Sequence, residues 1–179
     1  DVTVQWSVLG STTQGKNMLV KTQLDNTPAE TKRVSLHHNI YVNSTARNPR
    51  ISNYASGAKL STDTTADFRN NIVANWGTGG GTDVECGASA NIVDNLFSSP
   101  GSPASDQAQA IMIRPGVPGP SHQKFSCSSS SFSYPGKAYV AGNLNHLNQP
   151  QNAYDDNGVN TTLSGLVTTP LSAPPISTT

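Results

Sequence analysis

Apolar residues in this chain fall into short alternating runs, not helical stripes. Four segments share one pattern: Val34 to Tyr41 (VSLHHNIY), Ala66 to Val73 (ADFRNNIV), Ala90 to Phe97 (ANIVDNLF) and Ala138 to Asn145 (AYVAGNLN). Each reads apolar, any, apolar, two variable positions, Asn, apolar, with a period of two before the Asn. A fifth segment, Val2 to Leu9 (VTVQWSVL), fits with Ser7 in the Asn place. The spacing is regular. Ser7 to Asn39 is 32 residues, Asn39 to Asn71 is 32, Asn71 to Asn95 is 24, and Asn95 to Asn143 is 48. The last interval is twice the one before it and reads as a doubled repeat holding one irregular coil around Ala110 to Arg114.

One strand signal per 24 to 32 residues, with connections of varying length, is the pattern of a stacked parallel solenoid. No amphipathic run of helical period competes with it. The recurring Asn has a physical use. Its amide both donates and accepts, so Asn residues stacked at the strand spacing of about 4.8 Å can bond along the stack. Its alternative role is to end each strand. Either role leaves an all-β stack of about six coils, by the length of the repeat.

Composition supports strand and turn over helix. Gly (15), Pro (12) and Asn (17) are abundant in 179 residues, and such residues favour turns or compete with helical hydrogen bonds. Only 12% of residues are charged, and eleven basic residues balance eleven acidic ones. A neutral chain lacks the basic field that nucleic-acid binding needs. No run of 18 apolar residues could form a membrane-spanning helix. The two cysteines, Cys86 and Cys127, fit either two buried thiols or one disulfide in an oxidising compartment.

At this point several segments resemble one family. Ser35 to Tyr41 followed by Arg47-Asn48-Pro49-Arg50-Ile51 is similar to the pectate lyases of the right-handed parallel β-helix superfamily, polysaccharide lyase family 1. So are Asp67 to Val73 running into Asn75-Trp76-Gly77, then Asn91 to Phe97, then Ala138 to Asn143, with Val2 to Ser7 resembling the strand before the substrate cleft. The resemblance runs in order along nearly the whole chain. It implies a single β-helix domain over residues 1–179, an interior-to-C-terminal part of a longer enzyme, with an irregular tail from about residue 149. It also implies a secreted, extracellular protein, monomeric, acting on polygalacturonate or pectin, without nucleic-acid or membrane partners. Calcium is expected from the family, with its acidic ligands on coils that would precede Asp1.

The chemistry that the resemblance implies is β-elimination. A base removes the C5 proton beside the uronate carboxylate and the C4 glycosidic oxygen leaves. Negative charge grows on the carboxylate, so fixed cations must face it. No water attacks, and the chain shows no convincing pair of hydrolase-type carboxylates. By resemblance Arg47 is the base, a role that neighbouring cations and removal from water would promote. Lys16, in Gly15-Lys16-Asn17-Met18-Leu19-Val20, matches the substrate-binding lysine of the preceding coil. Arg50 is the candidate second carboxylate clamp, a task suited to a guanidinium fork. Some members of the family it resembles carry a further Arg five residues after the base, where this chain has Ser52.

Other features suit plainer roles. His37 and His38 are adjacent, so a strand would point them to opposite faces instead of at one metal. His122 and His146 lie in polar loops without a partner at metal spacing. Trp6 and Trp76 sit in strand patterns and read as core. Asn43-Ser44-Thr45 and Asn160-Thr161-Thr162 form N-glycan acceptor patterns. The stretches 98–103, 115–121 and 126–131 read as loops between coils. The competing function is a non-catalytic β-solenoid that binds glycan or serves as an adhesin.

Overall fold

The computed structural model describes residues 2–10, 15–21, 33–53, 55–56, 59–60, 64–98, 110–114, 135–151, 153–154 and 165–172. The described residues form strands and turns without a helix. Three sheets carry the architecture. Sheet A holds β1 (Val2–Gln5), β4 (Arg33–His37), β9 (Thr65–Arg69), β12 (Ser89–Val93), β15 (Lys137–Ala141) and β18 (Leu166–Val167). Sheet B holds β2 (Val8–Gly10), β5 (Ile40–Ala46), β10 (Ile72–Gly79), β13 (Leu96–Ser98) and β16 (Leu144–Asn145). Sheet C holds β3 (Leu19–Lys21), β6 (Arg50–Ser52), β11 (Thr82–Glu85), β14 (Ile111–Ile113) and β17 (Ala153–Tyr154). Every pairing within these sheets is parallel. A small antiparallel hairpin, β7 (Ala55–Ser56) with β8 (Lys59–Leu60), stands apart.

The chain visits the sheets in fixed rotation, A then B then C, five times, and begins a sixth cycle with β18. This all-β arrangement of three parallel sheets is compatible with a parallel solenoid. Side chains of one parity stack between the sheets. Sheet A contributes Val34, Leu36, Ala66, Phe68, Ala90, Ile92 and Ala138; sheet B contributes Tyr41, Val73 and Phe97; sheet C contributes Val20, Ile51, Val84 and Ile113. Each fully buried Val, Leu, Ile or Phe side chain of this kind contributes roughly 1.5–3 kcal/mol. The Tyr41 and Phe68 rings meet across the A–B corner at 5.6 Å.

That corner is held by the recurring asparagines. Ser7 N–H donates to Asn39 Oδ1 (3.1 Å), Asn39 N–H to Asn71 Oδ1 (2.9 Å), Asn71 N–H to Asn95 Oδ1 (2.9 Å) and Asn95 N–H to Asn143 Oδ1 (3.0 Å). Each Asn Nδ2 donates in turn to a backbone carbonyl beneath it: Val4, Leu36, Phe68 and Ile92, respectively. All four asparagines are buried. The residue before each rung takes a left-handed backbone: Trp6 (φ 53°), His38 (57°), Asn70 (54°), Asp94 (55°) and Gly142 (66°). This turns the chain sharply from sheet A into sheet B. At Gly142 a Cβ would also collide with Asp94 Oδ1.

Two expectations change. Asn95 bonds directly to Asn143, so the 48-residue interval is one cycle, not two. It comprises β13, β14 and β15 with long connections, which add little closure entropy for their length. And β17 and β18 fall in the stretch read as an irregular tail, where two-residue strands leave too little alternation to recognise.

The central rung gives a test. Asn71→Ala removes the acceptor for Asn39 N–H and the donor to the Leu36 and Arg69 carbonyls. Buried groups left unpaired cost about 1–3 kcal/mol each, so Asn71→Ala should destabilise by at least that much in urea unfolding. Asn75→Ala, which loses an exposed bond to Asn43 (2.8 Å) at a left-handed position (φ 50°) that alanine adopts less readily, should cost about 1 kcal/mol, less than the buried rung.

Candidate functional site

The candidate catalytic cations come together at the corner between sheets B and C. Arg47 follows β5 directly and has a left-handed backbone (φ 62°). In the next cycle the matching position is Gly80 (φ 82°), by the Ala46↔Gly79 and Arg50↔Asp83 pairings. The corner thus demands a conformation that glycine adopts freely and arginine does not. Lys16, in the preceding cycle, is bridged to Ala46, and Met18 N–H donates to the Arg47 carbonyl (2.9 Å). From that bridge to the Leu19↔Arg50 pair one chain advances three residues and the other four (19 − 16 against 50 − 46). The extra residue lies in the segment carrying Arg47, as a bulge that re-aims its side chains.

Asparagines fix this corner too, a feature the sequence reading missed. Asn17 Nδ2 donates to Asn48 Oδ1 (2.6 Å), Asn48 Nδ2 to the Gly80 carbonyl (3.4 Å), and Thr82 Oγ1 to the Asn48 carbonyl (2.8 Å). The signal was the recurrence of Asn17 and Asn48 beside the two candidate cations. With Asn48 and Pro49 buried, the backbone just after Arg47 is held.

The three cations differ in their surroundings. Among the described residues the half-buried Arg47 guanidinium has no hydrogen-bond or ion-pair partner. Lys16 is exposed at the neighbouring position and takes part in an interaction of its own. Arg50 is committed to its own fold. Its Nε donates to Asp83 Oδ2 (3.0 Å) in the next strand of sheet C and lies 3.9 Å from Glu85 Oε1. Arg114 closes the other side, with Nη2 3.3 Å from Asp83 Oδ1 and Nε 3.7 Å from Glu85 Oε2. Burial pushes the Glu85 carboxyl above its ordinary range; Arg50 pulls it back, Asp83 raises it further, and Arg114 and Ser52 lower it.

Calcium was expected, with ligands before Asp1. Among the described residues no group of three or more His, Cys, Asp or Glu side chains converges on a metal position. The carboxylates nearest the corner, Asp83 and Glu85, already face two guanidinium groups. These residues do not fit a calcium site, and the chemistry of this corner is not routed through one.

His37 and His38 lie at the opposite corner, between sheets A and B. His37 is 3% exposed, on the outward side of sheet A and not between the sheets; its register partners are Gln5 and Arg69. His38 is exposed. The two Nδ1 atoms are 2.9 Å apart, so one ring donates to the other. Trp6, expected in the core, is 73% exposed and stacks on His38 (centroids 4.4 Å, planes 21° apart). Its place at the left-handed corner explains this, because the corner residue points away from the core. Trp76 does pack against the core, edge-on to Phe97. Cys86 is buried and disulfide-bonded. Cys127, His122 and Asn160 lie outside the described residues, as does most of each of the three stretches read as loops.

The histidine pair predicts a pH effect on stability. Burial lowers the His37 pKa from its ordinary value, the His38 ring adds to that, Asp67 opposes it, and Arg69 lowers it further. A lowered folded-state pKa means that the unfolded chain binds the proton better. The stability tied to neutral His37 is therefore complete above about pH 6.5 and is lost as pH falls through the folded value. Urea unfolding of the native chain and His37→Gln at pH 8 and pH 5 should show the native chain losing more stability across that interval.

No known family, curated protein or solved structure matches the chain in sequence or structure comparisons.

Proposed function

We propose that the chain is a right-handed parallel β-helix of pectate lyase type, secreted and acting on polygalacturonate by β-elimination. The observation that carries this reading is the Arg47 guanidinium, without a partner among the described residues and held in a left-handed corner beside the strand position of Lys16. A structural arginine would be expected to have an acceptor. A cation with no acceptor among the described residues, beside a part-buried Asn17–Asn48 bond, suits a group that awaits an anionic substrate. The disulfide at Cys86 supports an oxidising, extracellular setting.

In this mechanism a galacturonate ring lies along the B–C corner with its C5–H toward Arg47. The Arg47 guanidinium first gives a proton to solvent, and the neutral guanidine then takes the C5 proton. The C5–H electron pair becomes the C4=C5 double bond, the C4–O bond breaks, and the departing oxygen takes a proton from solvent. Lys16 faces the carboxylate on which charge develops, and its gain is largest at the transition state. The family pattern would put Arg50 in a similar role, but its ties to Asp83 and Glu85 make it a restrained neighbour. That restraint is the observation favouring the second reading, a solenoid that binds glycan without cleaving it.

Incubation with polygalacturonate, following ultraviolet absorbance of the unsaturated product, separates the readings. Turnover should appear, and Arg47→Lys should lower kcat by about a hundredfold or more with KM little changed, because charge is kept while the proton-accepting fork is lost. Lys16→Ala should lower kcat/KM by at least about tenfold, the value of one charge-assisted contact, with kcat falling as well as binding weakening. Binding without any product would favour the glycan-binding solenoid, and near-native turnover by Arg47→Lys would refute the assigned base.

A further inference from the structure

Sheet B is the sheet without charge. Its strands read VLG, IYVNSTA, IVANWGTG, LFS and LN, with no Asp, Glu, Lys, Arg or His among them. Tyr41, Val73 and Phe97 point inward, so the residues on either side of them point out. The pairing of Val8, Ile40, Ile72, Leu96 and Leu144 sets five of these outward residues in one unbroken apolar row. Val8 is 72% exposed, Ile40 38%, Ile72 39% and Leu144 38%, and Leu96 is half-buried. Beside that row runs a second one of small or apolar residues, Gly10, Val42, Ala74 and Ser98, in the same register. Polar side chains border the strip. On one side Asn75 Nδ2 donates to Asn43 Oδ1 (2.8 Å), which leaves Asn43 Nδ2 and Asn75 Oδ1 without a partner among the described residues. On the other, the left-handed corner column carries Trp6, His38, Asn70 and Asp94, all exposed.

We infer that this face is a second carbohydrate site, which takes an extended, uncharged polysaccharide chain and is separate from the Arg47 corner. A pyranose ring presents C–H groups on its faces and hydroxyls at its edges. Laid on the strip, the ring faces cover the aliphatic row while the hydroxyls reach the bordering amides, which both donate and accept. Removing the aliphatic row from water supplies the attraction. The charge pattern selects against a uronate chain. Its carboxylates would leave water with no cation in sheet B to receive them, and Asp94 would repel them. Arg69, on sheet A, is already bound by Asp67 through two nitrogens. Lys16 and Arg47 lie at the other end of β5, beyond Thr45. A second copy of this chain fits less well. Five rungs at about 4.8 Å and two outward positions give on the order of 300–400 Å² of face per copy. Twice that falls below the roughly 1,200 Å² at which specific protein interfaces begin. A single apolar patch of this size is a common mark of a binding site. The inference concerns a different sheet face and does not depend on β-elimination at the B–C corner.

Retardation of the full chain in native gels containing hydroxyethylcellulose, an uncharged glucan, tests it, with polygalacturonate gels run beside them. Hydroxyethylcellulose should retard the native chain. Ile72→Gln should weaken that retardation by about fivefold, the value of roughly half an isoleucine side chain removed from water, and leave retardation by polygalacturonate unchanged. Ile72→Leu, which keeps the row apolar, should behave as the native chain does. Val8→Gln should act as Ile72→Gln does. Val8 is 72% exposed and outside the core, so this variant decides the matter if Ile72→Gln fails to fold by circular dichroism. No retardation of the native chain by hydroxyethylcellulose would overturn the inference and leave the reading of the B–C corner standing. Equal retardation of the native chain and folded Val8→Gln would overturn it too. Light scattering that shows a native dimer, made monomeric by Val8→Gln, would overturn it in favour of a second copy on this face.

Discussion

The constraint on which the structure depends is the fate of backbone N–H groups at the inner corner between sheets A and B. Strand pairing satisfies the amides within each sheet, but at the corner the chain leaves one sheet and enters the next. A buried amide there without an acceptor would cost about 1–3 kcal/mol in every cycle. The Asn side chain solves this with both ends of its amide. Oδ1 receives the N–H of the rung in the preceding cycle, and Nδ2 reaches a carbonyl of that same cycle. Asp could not donate, Leu could do neither, and Ser7 fits only where no earlier rung among the described residues requires its side-chain oxygen.

A corner fixed in this way sets the phase of the next strand. Ile40, Ile72, Leu96 and Leu144 each begin a sheet B strand directly after a ladder residue, and they lie in register with one another. Eight residues beyond Asn39 the chain reaches Arg47, and nine beyond Asn71 it reaches Gly80. The extra residue is absorbed by a register shift between Trp76 and Gly79. The second corner therefore inherits its alignment from the first, and the Asn17–Asn48 bond holds it locally. Arg47 and Lys16, 31 residues apart in sequence (47 − 16), become neighbours because both hang from this stack.

The parts of this architecture legible in sequence are those with a local signature. The alternation before each Asn marked β4, β9, β12 and β15, and the spacing of Asn39, Asn71 and Asn95 foretold a bonded column. Sheet C was largely invisible, because its strands β3, β6 and β14 are only three residues long. The partnership of Arg50 with Asp83 could not be read either, since it needs the register between strands 33 residues apart (83 − 50). The 48-residue interval misled because loop insertions do not disturb the ladder and leave no trace in its bonds. Trp6 misled for a different reason: it sits one place past a strand, where left-handed backbone reverses the inside–outside rule.

The central claim is that the Asn side chains, and not strand pairing alone, hold the stack together. Site-resolved hydrogen exchange of the backbone amides of Asn39, Asn71 and Asn95 tests it most directly, since each donates to a side-chain oxygen and to no backbone carbonyl in a sheet. The account predicts that these three amides exchange as slowly as those of Leu36, Phe68 and Ile92 in the core strands, opening only with global unfolding. Exchange at the rate of exposed turn amides, while the core strands stay protected, would contradict it.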